Sequence, residues 1–272
     1  MNRRNFLMTA AAGMVLPIRI RASAASLSDE EQEQFLLKAK IVKKKGTKVG
    51  TTGTSRLTLR SDDFAHDAHL QTIDVFKSSF QTPAGMEFNF RDSYKFNIAA
   101  YRLDRLINLN VVPVSVERRV ARKSASVTWW VDDVQMLELE RYKKKISAPN
   151  RSAWLDQMYN VRIFNELVFN NDPNLGNLLI TNDWKLRMID FSRAFRTHDE
   201  LRNPKNLTRI DQRIYAGLQS LTREKVVAKL GSLLRETEVD GLLARKDRIL
   251  ELFDAKIAEN GEAMVICRLE GH

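Results

Sequence analysis

The sequence has little of what several functional classes require. Its 272 residues include a single cysteine, Cys267, which excludes a disulfide bond within the chain. Its four histidines do not stand at metal-ligand spacings with that cysteine, which argues against a zinc site. It contains no G-x-S-x-G motif, so nothing supports a serine hydrolase. The hydrophobic fraction of 43% and the charged fraction of 29% are those of a folded protein rather than a disordered one.

The sequence also lacks an apolar run long enough to anchor it in a bilayer. Its N-terminus instead has the parts of an export signal in the right order. Arg3 and Arg4 precede an apolar run at residues 6–18, and a small-x-small cleavage site follows at residues 22–24. The paired arginines resemble the twin-arginine motif, whose machinery carries folded proteins. This order favours a cleaved signal peptide at residues 1–24 over a frayed basic helix on a cytoplasmic protein.

We therefore expect a bacterial protein that is periplasmic or otherwise exported, with the twin-arginine machinery as a partner and no stable membrane anchor.

Removing the signal peptide also changes the net charge of the chain. The full chain has 44 basic and 34 acidic side chains, and residues 1–24 hold four arginines and no acids, so the net charge falls from +10 to +6. Such a charge gives weak support for a nucleic-acid partner, and none is expected. A basic protein that binds polyanions at its surface is the weakest functional hypothesis.

The order of the predicted elements indicates an α+β protein with two lobes. A β-rich first half with one main helix precedes a helix-rich second half, and we place the lobes at residues 25–134 and 135–272. The predicted elements are a helix at 28–40 with a Ser28/Glu31 capping box, two strands within 43–62, a strand at 68–75, a helix at 92–109, β-rich runs at 111–120 and 126–131, a helix at 152–170, and a helical remainder over 208–258.

Polar residues cluster where the second long helix ends. Asp172 and Asn177 stand five apart in the loop N-D-P-N-L-G-N, and Asp190 follows an apolar strand thirteen residues later. Kinase-like enzymes use a D-x-x-x-x-N loop and then an aspartate after a strand. Phosphoryl transfer needs a carboxylate to orient the attacking hydroxyl and oxygen ligands to hold Mg²⁺ or Mn²⁺. We therefore predict Asp172 as the base, Asn177 and Asp190 as metal ligands, and Asn174 as a donor to the transferring phosphate.

The same residues are also typical of an ordinary turn. Asp, Pro, Asn and Gly each favour turns for local reasons, and Asp190 would then be a cap at the end of a strand. The helix before the loop, the hairpin after it and the I-D-F sequence at the expected distance favour the kinase-like interpretation.

A family resemblance supports that interpretation. Residues 97–118, N-I-A-A-Y-R-L-D-R-L-I-N-L-N-V-V-P-V-S-V-E-R, resemble the helix-C region of the secretory-pathway kinases, which carry a similar I-A-A-F-H-L-D-R followed by a V-P strand. The loop N-D-P-N-L-G-N-L-L-I and the strand M-I-D-F also resemble phosphoinositide kinases and HipA-type kinases. Together the matches cover roughly residues 46–195. The resemblance implies a bilobal protein-kinase-like fold that binds ATP and a divalent metal.

The sequence departs from this family where phosphates are normally held. Kinases pair a strand lysine with an acid of helix C, and Gln71 and Asn97 stand at those positions. A Gln–Asn pair can hydrogen-bond and fix the helix, but it supplies no positive charge to a phosphate. Lys48 and Lys77 are candidate substitutes for the lysine.

Two further segments have a functional and an ordinary interpretation. Gly50 and Gly53 belong to a glycine-rich segment whose N–H groups could cover phosphates, or which forms a plain hairpin turn. Trp129 and Trp130 follow a β-rich run where a kinase hinge would lie, so one ring packs on adenine or both lie in the core.

Two functions follow. The first is an ATP-dependent phosphotransferase that acts on an unknown hydroxyl-bearing substrate, which is a protein, a lipid or a small molecule. The second is a pseudokinase, a non-catalytic binding module that works through protein interaction. The Gln71 and Asn97 departures favour the second, and the set of Asp172, Asn177 and Asp190 favours the first.

Overall fold

The structure is a computed structural model, and it describes residues 27–46, 54–62, 64–82 and 85–268. The predicted signal peptide lies outside these residues, as do Gly50, Gly53 and Lys48. Within the described part of the chain, no helix is both long enough and apolar enough to cross a membrane.

The described chain has a β-rich first part and a helix-rich second part. The first part contains α1 (Asp29–Lys38), β1 (Lys40–Gly46), β2 (Thr54–Ser61), β3 (Phe64–Gln71), β4 (Asp74–Thr82), β5 (Gly85–Ser93), α2 (Lys95–Leu106), β6 (Ser115–Val120) and β7 (Lys123–Trp129). The second contains β8 (Val134–Leu137), α3 (Glu138–Lys144), α4 (Arg151–Leu167), β9 (Leu178–Thr181), β10 (Leu186–Met188), β11 (Ile210–Asp211), α5 (Gln212–Gln219), α6 (Arg223–Leu230), α7 (Glu236–Asn260), α8 (Glu262–Val265) and β12 (Ile266–Cys267). The predicted α+β fold, with a β-sheet lobe and a helical lobe, is confirmed.

The first lobe is built on an antiparallel sheet in the order β1-β2-β3-β7-β6. Because side chains alternate along a strand, the sheet has one apolar and one polar face. Leu57, Leu70 and Val127 are buried on the apolar face. Helix α1 covers this face, with the Phe35 ring packed edge-on against Trp129 at 5.7 Å. The polar face is therefore the one turned toward the second lobe.

Helix α1 begins as the sequence predicts. The Ser28 hydroxyl accepts from the Glu31 N–H at 3.3 Å, and the Glu31 carboxylate accepts from the Ser28 N–H at 2.8 Å. This capping box satisfies two N–H groups that the first turn leaves without helical partners. The helix ends at Lys38 rather than at residue 40, where β1 begins.

Strands β4 and β5 form a hairpin that the sequence did not reveal. The strand predicted at 68–75 is divided, since β3 ends at Gln71 and β4 begins at Asp74. Strand β5 then runs to Ser93, so α2 begins at Lys95 rather than at Asp92. The prediction was wrong because Phe76 and its neighbours on β4 are mostly exposed, and a strand without one buried face has no clean alternation of polar and apolar residues.

The L-D-R sequence of α2 fixes the chain that follows the helix. Asp104 is fully buried and accepts from the N–H groups of Val111 at 3.0 Å and Val112 at 3.4 Å. It also forms an ion pair with Arg105. Because these two N–H groups bind Asp104 instead of a neighbouring strand, β6 begins at Ser115 and not at residue 111 as predicted. Burial raises the pKa of Asp104 to about 6, and the Arg105 guanidinium opposes that shift.

Candidate active site

The predicted catalytic loop joins α4 to β9, and Asn174 organises it. The Asn174 Nδ2 group donates to Asp172 Oδ1 at 2.9 Å, and Asn174 Oδ1 accepts from the Gly176 N–H at 2.8 Å. A side chain at Gly176 would place a Cβ 2.8 Å from that oxygen, which explains the glycine. Asn174 was predicted to donate to a phosphate. The structure adds a positioning contact, because this side chain orients the Asp172 carboxylate.

Asn177 joins the loop to the strand that carries Asp190. Its Nδ2 group donates to the backbone carbonyl of Asp172 at 3.3 Å, and its own carbonyl accepts from the Ile189 N–H at 3.0 Å. The side-chain oxygen of Asn177 is then the atom left for another ligand. These bonds bring Asp172, Asn177 and Asp190 to the same edge of the second lobe.

Asp190 has a left-handed backbone, with φ of 60°. Aspartate adopts this conformation more readily than most residues, but it still costs free energy and is concentrated at functional sites. Both neighbours of Asp190 are held. The Ile189 N–H donates to Asn177, and the Phe191 N–H donates to Asn97 Oδ1 at 2.8 Å. The Asp190 carboxylate is consequently presented to solvent at a fixed position.

Asn97 connects this segment to the sheet. While its oxygen accepts from Phe191, its Nδ2 group donates to the side-chain oxygen of Gln71 and, at 3.4 Å, to the Ser126 hydroxyl. Gln71 and Asn97 are both buried. The hydrogen bond expected between the two neutral side chains is therefore present and ties α2 to β3. Their contribution to nucleotide binding stays a prediction.

The polar face of the sheet also carries His69, two residues before Gln71. Burial lowers the pKa of the His69 imidazole, and the Asp190 carboxylate nearby opposes that shift. His69 is therefore neutral near pH 7. Farther along the same face, Arg56 forms an ion pair of 2.5 Å with Asp67. This surface is polar, yet next to Asp190 it offers neutral groups rather than cations.

The two tryptophans lie on different sides of the sheet. The Trp129 ring is mostly buried and stacks on His66, with a centroid distance of 3.8 Å. Trp130 lies under the Arg56 guanidinium at 4.1 Å. Trp129 belongs to the core, whereas Trp130 is half-buried, so the interpretation that places both rings in the core is not confirmed. Packing of one ring on adenine stays a prediction. Lys77, a candidate substitute for the missing lysine, sits on the hairpin with its ammonium over the Phe80 ring at 4.3 Å.

The β4–β5 hairpin contacts the chain on both sides of Asp190. The Ser93 N–H donates to the carbonyl of Ser192 at 2.9 Å. Glu87 forms an ion pair of 2.8 Å with Arg196 and accepts from Asn171 of the catalytic loop at 3.3 Å. The hairpin thus holds the candidate catalytic loop and the segment after Asp190 together.

A buried ion pair fastens the same hairpin to the second lobe. The Arg91 guanidinium donates to both carboxylate oxygens of Glu238 on α7, at 2.6 and 2.7 Å. Both side chains are buried, so each charge is balanced by its partner rather than by water.

Arg193 is the site residue that sequence reasoning missed. Its Nε group donates to Asp92 Oδ2 on β5 at 3.0 Å, and its carbonyl accepts from the Asn171 N–H at 3.4 Å. The hydrogen bond to Asp92 raises the pKa of Arg193, and the carboxylates of Asp172 and Asp190 raise it further. The only sequence signal was an arginine three positions after Asp190, which is too common to be informative.

Arg245 holds together two segments next to the candidate site. It is completely buried on α7, and its Nε group donates to the carbonyl of Leu167 at the end of α4 at 2.9 Å. One of its Nη groups donates to the carbonyls of Arg196, at 2.9 Å, and His198. Burial lowers the pKa of this guanidinium. Arg245 therefore fixes the helix before the catalytic loop against the segment after Asp190.

The donor set suits a hard divalent cation. Asp190 supplies an exposed carboxylate, and Asn177 supplies an amide oxygen whose partner nitrogen is already bonded. Oxygen ligands of this type are those that Mg²⁺ and Mn²⁺ prefer over zinc. The residues present therefore fit such an ion.

Comparison with known protein families finds a match that covers the candidate site. The model of the ABC1 atypical kinase-like domain matches residues 62–210, which is just over half of the 272 residues. The matched stretch includes β3, α2, the catalytic loop and Asp190. A comparison with curated proteins finds no significant match.

Several solved structures have a similar fold. Fam20 of hydra, solved with sugar, has a TM-score of 0.65 and 14% identity, covering 89% of this chain and 93% of its own. The Golgi casein kinase with Mn and ADP bound has a TM-score of 0.62 and 14% identity, covering 88% and 78%. The Helicobacter pylori proinflammatory kinase CtkA has a TM-score of 0.53 and 9% identity, covering 83% and 98%. At these identities the likeness establishes the fold alone.

Proposed function

The chain belongs to the ABC1 atypical kinase-like family, and from that premise we propose that it is an exported phosphotransferase that uses ATP and a divalent metal, Mg²⁺ or Mn²⁺. Its acceptor is a hydroxyl group of a protein, a lipid or a small molecule. The kinase-like fold of its structural neighbours supports the phosphotransferase class, and the neighbour with Mn and ADP supports nucleotide and metal binding.

One observation carries the proposal. Asn177 bonds through its side chain to Asp172 and through its carbonyl to Ile189, so the loop and the strand before Asp190 form one unit. Both neighbours of Asp190 are held, Ile189 by Asn177 and Phe191 by Asn97, so the loop and helix α2 together fix the backbone that carries its carboxylate. The arrangement matches the needs of phosphoryl transfer, in which positioning and electrostatic stabilisation account for most of the rate.

Each residue has a distinct task in this mechanism. Asp172 accepts the proton of the attacking hydroxyl, and Asn174 holds its carboxylate in place. Asn177 and Asp190 would hold the metal ion, which when bound would neutralise phosphate charge. Gln71 is held beside them in the buried pair with Asn97. Gly50 and Gly53 lie outside the described residues, and their role as backbone donors to the phosphates stays part of the proposal.

A second function is favoured by the Gln71–Asn97 pair. Two neutral side chains occupy the positions that usually hold a lysine and an acid, and neither can attract a phosphate as a cation does. A pseudokinase that binds a protein partner would keep the fold and tolerate this loss. Turnover decides between the two functions, because only the phosphotransferase requires Asp172.

A nucleotide-dependent function requires a source of ATP for an exported protein. ATP is scarce outside the bacterial cytoplasm, whereas twin-arginine substrates fold before they cross the membrane. We propose that the chain loads nucleotide in the cytoplasm before it is exported to the periplasm.

Thermal-shift titration of the purified protein with ATP and Mg²⁺ or Mn²⁺ tests the proposal. A ligand at a hundred times its Kd stabilises the native state by about 2.7 kcal/mol, and the shift should require the metal. Asp190→Ala is the control and should abolish it. A wild-type protein that shows no metal-dependent shift with ATP would contradict nucleotide binding. Transfer of labelled phosphate from ATP to the protein or to a supplied acceptor would then separate the phosphotransferase from the pseudokinase.

A further inference from the structure

The candidate site needs a cation, and the first-lobe sheet next to Asp190 does not supply one. A metal-bound nucleoside triphosphate is still an anion, and the site already contains the carboxylates of Asp172 and Asp190. On the polar face of β3, Gln71 is neutral and buried, and its side-chain oxygen already accepts a hydrogen bond from Asn97. The Lys77 ammonium lies over the Phe80 ring on the hairpin.

Arg193 offers a cation on the segment that follows Asp190. Its side chain is 45% exposed, whereas its partner Asp92 is 6% exposed. The guanidinium is bound to Asp92 through Nε alone, so its two Nη groups have no hydrogen-bond partner among the described residues. Exposed Nη groups on an anchored side chain are preorganised to receive a ligand, because part of the rotamer entropy is already lost.

Backbone hydrogen bonds hold the segment that carries Arg193. Arg193 lies three positions after Asp190, and its carbonyl accepts from Asn171, the residue before Asp172. The hydrogen bond from Ser93 to Ser192 holds the same segment against β5. Arg193 is therefore attached to the catalytic loop and to the metal-binding strand at once.

We propose that Arg193 binds the phosphate groups of the nucleotide and so replaces the lysine that kinases carry on the third strand. The inference rests on the proposed nucleotide-dependent function and names the residue that makes it feasible despite Gln71. An arginine suits this task because the N–H groups left on its Nη atoms can bind two phosphate oxygens in parallel. Asp92 acts as a positioning residue, since it orients the guanidinium and does not itself face the ligand.

Nucleotide titrations of the full chain test this inference. Affinities for ATP, ADP and adenosine with Mg²⁺ are compared between the wild type and Arg193→Ala. We expect ATP affinity to fall at least tenfold, ADP affinity to fall less, and adenosine affinity to stay unchanged. A purely structural role would weaken all three ligands alike, and that result would overturn the inference.

The chain offers a matched control and a second variant. Arg213 on α5 is 41% exposed and is bound through Nε to a buried aspartate, Asp211, at 3.1 Å, so Arg213→Ala removes a similar ion pair outside the site. It should leave all affinities unchanged. Because Arg193→Ala leaves Asp92 buried without its partner, the double variant Arg193→Ala with Asp92→Asn repeats the test without a stranded charge. The same selective loss for ATP is expected.

A further variant tests whether a different cation restores ATP binding. Gln71→Lys with Asn97→Asp, placed in the Arg193→Ala background, supplies a cation from β3 and should restore most of the ATP affinity. Wild-type ATP affinity in Arg193→Ala would overturn this inference alone. A wild-type protein that binds no ATP would overturn the proposed function, and the inference with it.

Discussion

The side-chain amide of Asn97 on α2 donates a hydrogen bond to the side-chain oxygen of Gln71 on β3, across 26 positions of sequence. The other end of the same amide accepts from the Phe191 N–H, directly after Asp190. One side chain therefore couples the sheet, the helix and the candidate metal-binding strand. A charged lysine–acid pair would perform the same coupling and would also attract phosphate.

Restoring charge at this pair should strengthen nucleotide binding. The double variant Gln71→Lys with Asn97→Asp places an ammonium beside the site, and the introduced carboxylate keeps an oxygen that can accept from the Phe191 N–H. We avoid Asn97→Glu, because the longer side chain would displace that acceptor. A charge-assisted hydrogen bond contributes about 1.5–3 kcal/mol, so ATP should bind about ten times more tightly by calorimetry. Equal affinities for parent and variant would mean that Gln71 lies away from the phosphates.

The two aspartates should fail in different ways. Asp190→Ala removes a metal ligand and should abolish metal-dependent ATP binding. Asp172→Ala removes the base, so it should leave binding intact and reduce phosphate transfer by about 10²–10⁴-fold. Titration and a transfer assay on the same preparations distinguish the two. If Asp172→Ala lost binding while Asp190→Ala retained it, the assigned roles would be reversed.

The stability of the protein should depend on Asp104 in a defined pH window. Burial raises the folded-state pKa of this carboxyl from 3.8 to about 6. The stability that the protonated Asp104 carboxyl contributes is therefore fully present below about pH 4 and is lost as the pH rises through about 6. Two pKa units correspond to about 3 kcal/mol. The unfolding free energy of the wild type minus that of Asp104→Asn should fall by this order between pH 4 and pH 7. A difference that is flat or rises with pH would contradict the assignment.

Breaking the Arg91–Glu238 ion pair should destabilise the protein strongly. Glu238→Gln keeps the shape of the side chain but leaves the Arg91 guanidinium buried without a counter-charge, which costs about 3–5 kcal/mol in denaturant unfolding. The exposed pair Arg223–Asp240 is the control, and Asp240→Ala should leave the denaturant midpoint unchanged. Similar midpoints for the two variants would show that the hairpin does not depend on its buried pair.

Export should depend on the paired arginines. Arg3→Lys with Arg4→Lys should leave the full-length precursor in the cytoplasm of cells with an intact twin-arginine system, as followed by fractionation and immunoblotting. N-terminal sequencing of the exported wild-type protein should begin at Ala25. Normal export of the double variant would exclude the twin-arginine route, and an intact N-terminus would exclude the cleavage site.

Features that depend on near neighbours could be predicted from the sequence. The Ser28/Glu31 capping box, the helix before Asn170, the D-x-x-x-x-N loop and the strand before Asp190 are set by residues a few positions apart, so pattern and propensity suffice to predict them. The α+β order followed from the change in hydrophobic period between the two halves. These local features were enough to indicate a kinase-like fold, and the roles assigned to the loop residues stay predictions.

The contacts that hold the candidate site, and the position of Arg193 within it, could not be predicted without the folded chain. The Arg193–Asp92 ion pair joins residues 101 positions apart, and the Arg91–Glu238 pair joins residues 147 positions apart. Neither leaves a local pattern, because each partner is an ordinary charged residue until the fold buries one of them beside the other. The β4–β5 hairpin was missed for the same reason. Its strands are ordered by contacts with the second lobe rather than by an alternation of their own, so its position next to Asp172 depends on the folded chain.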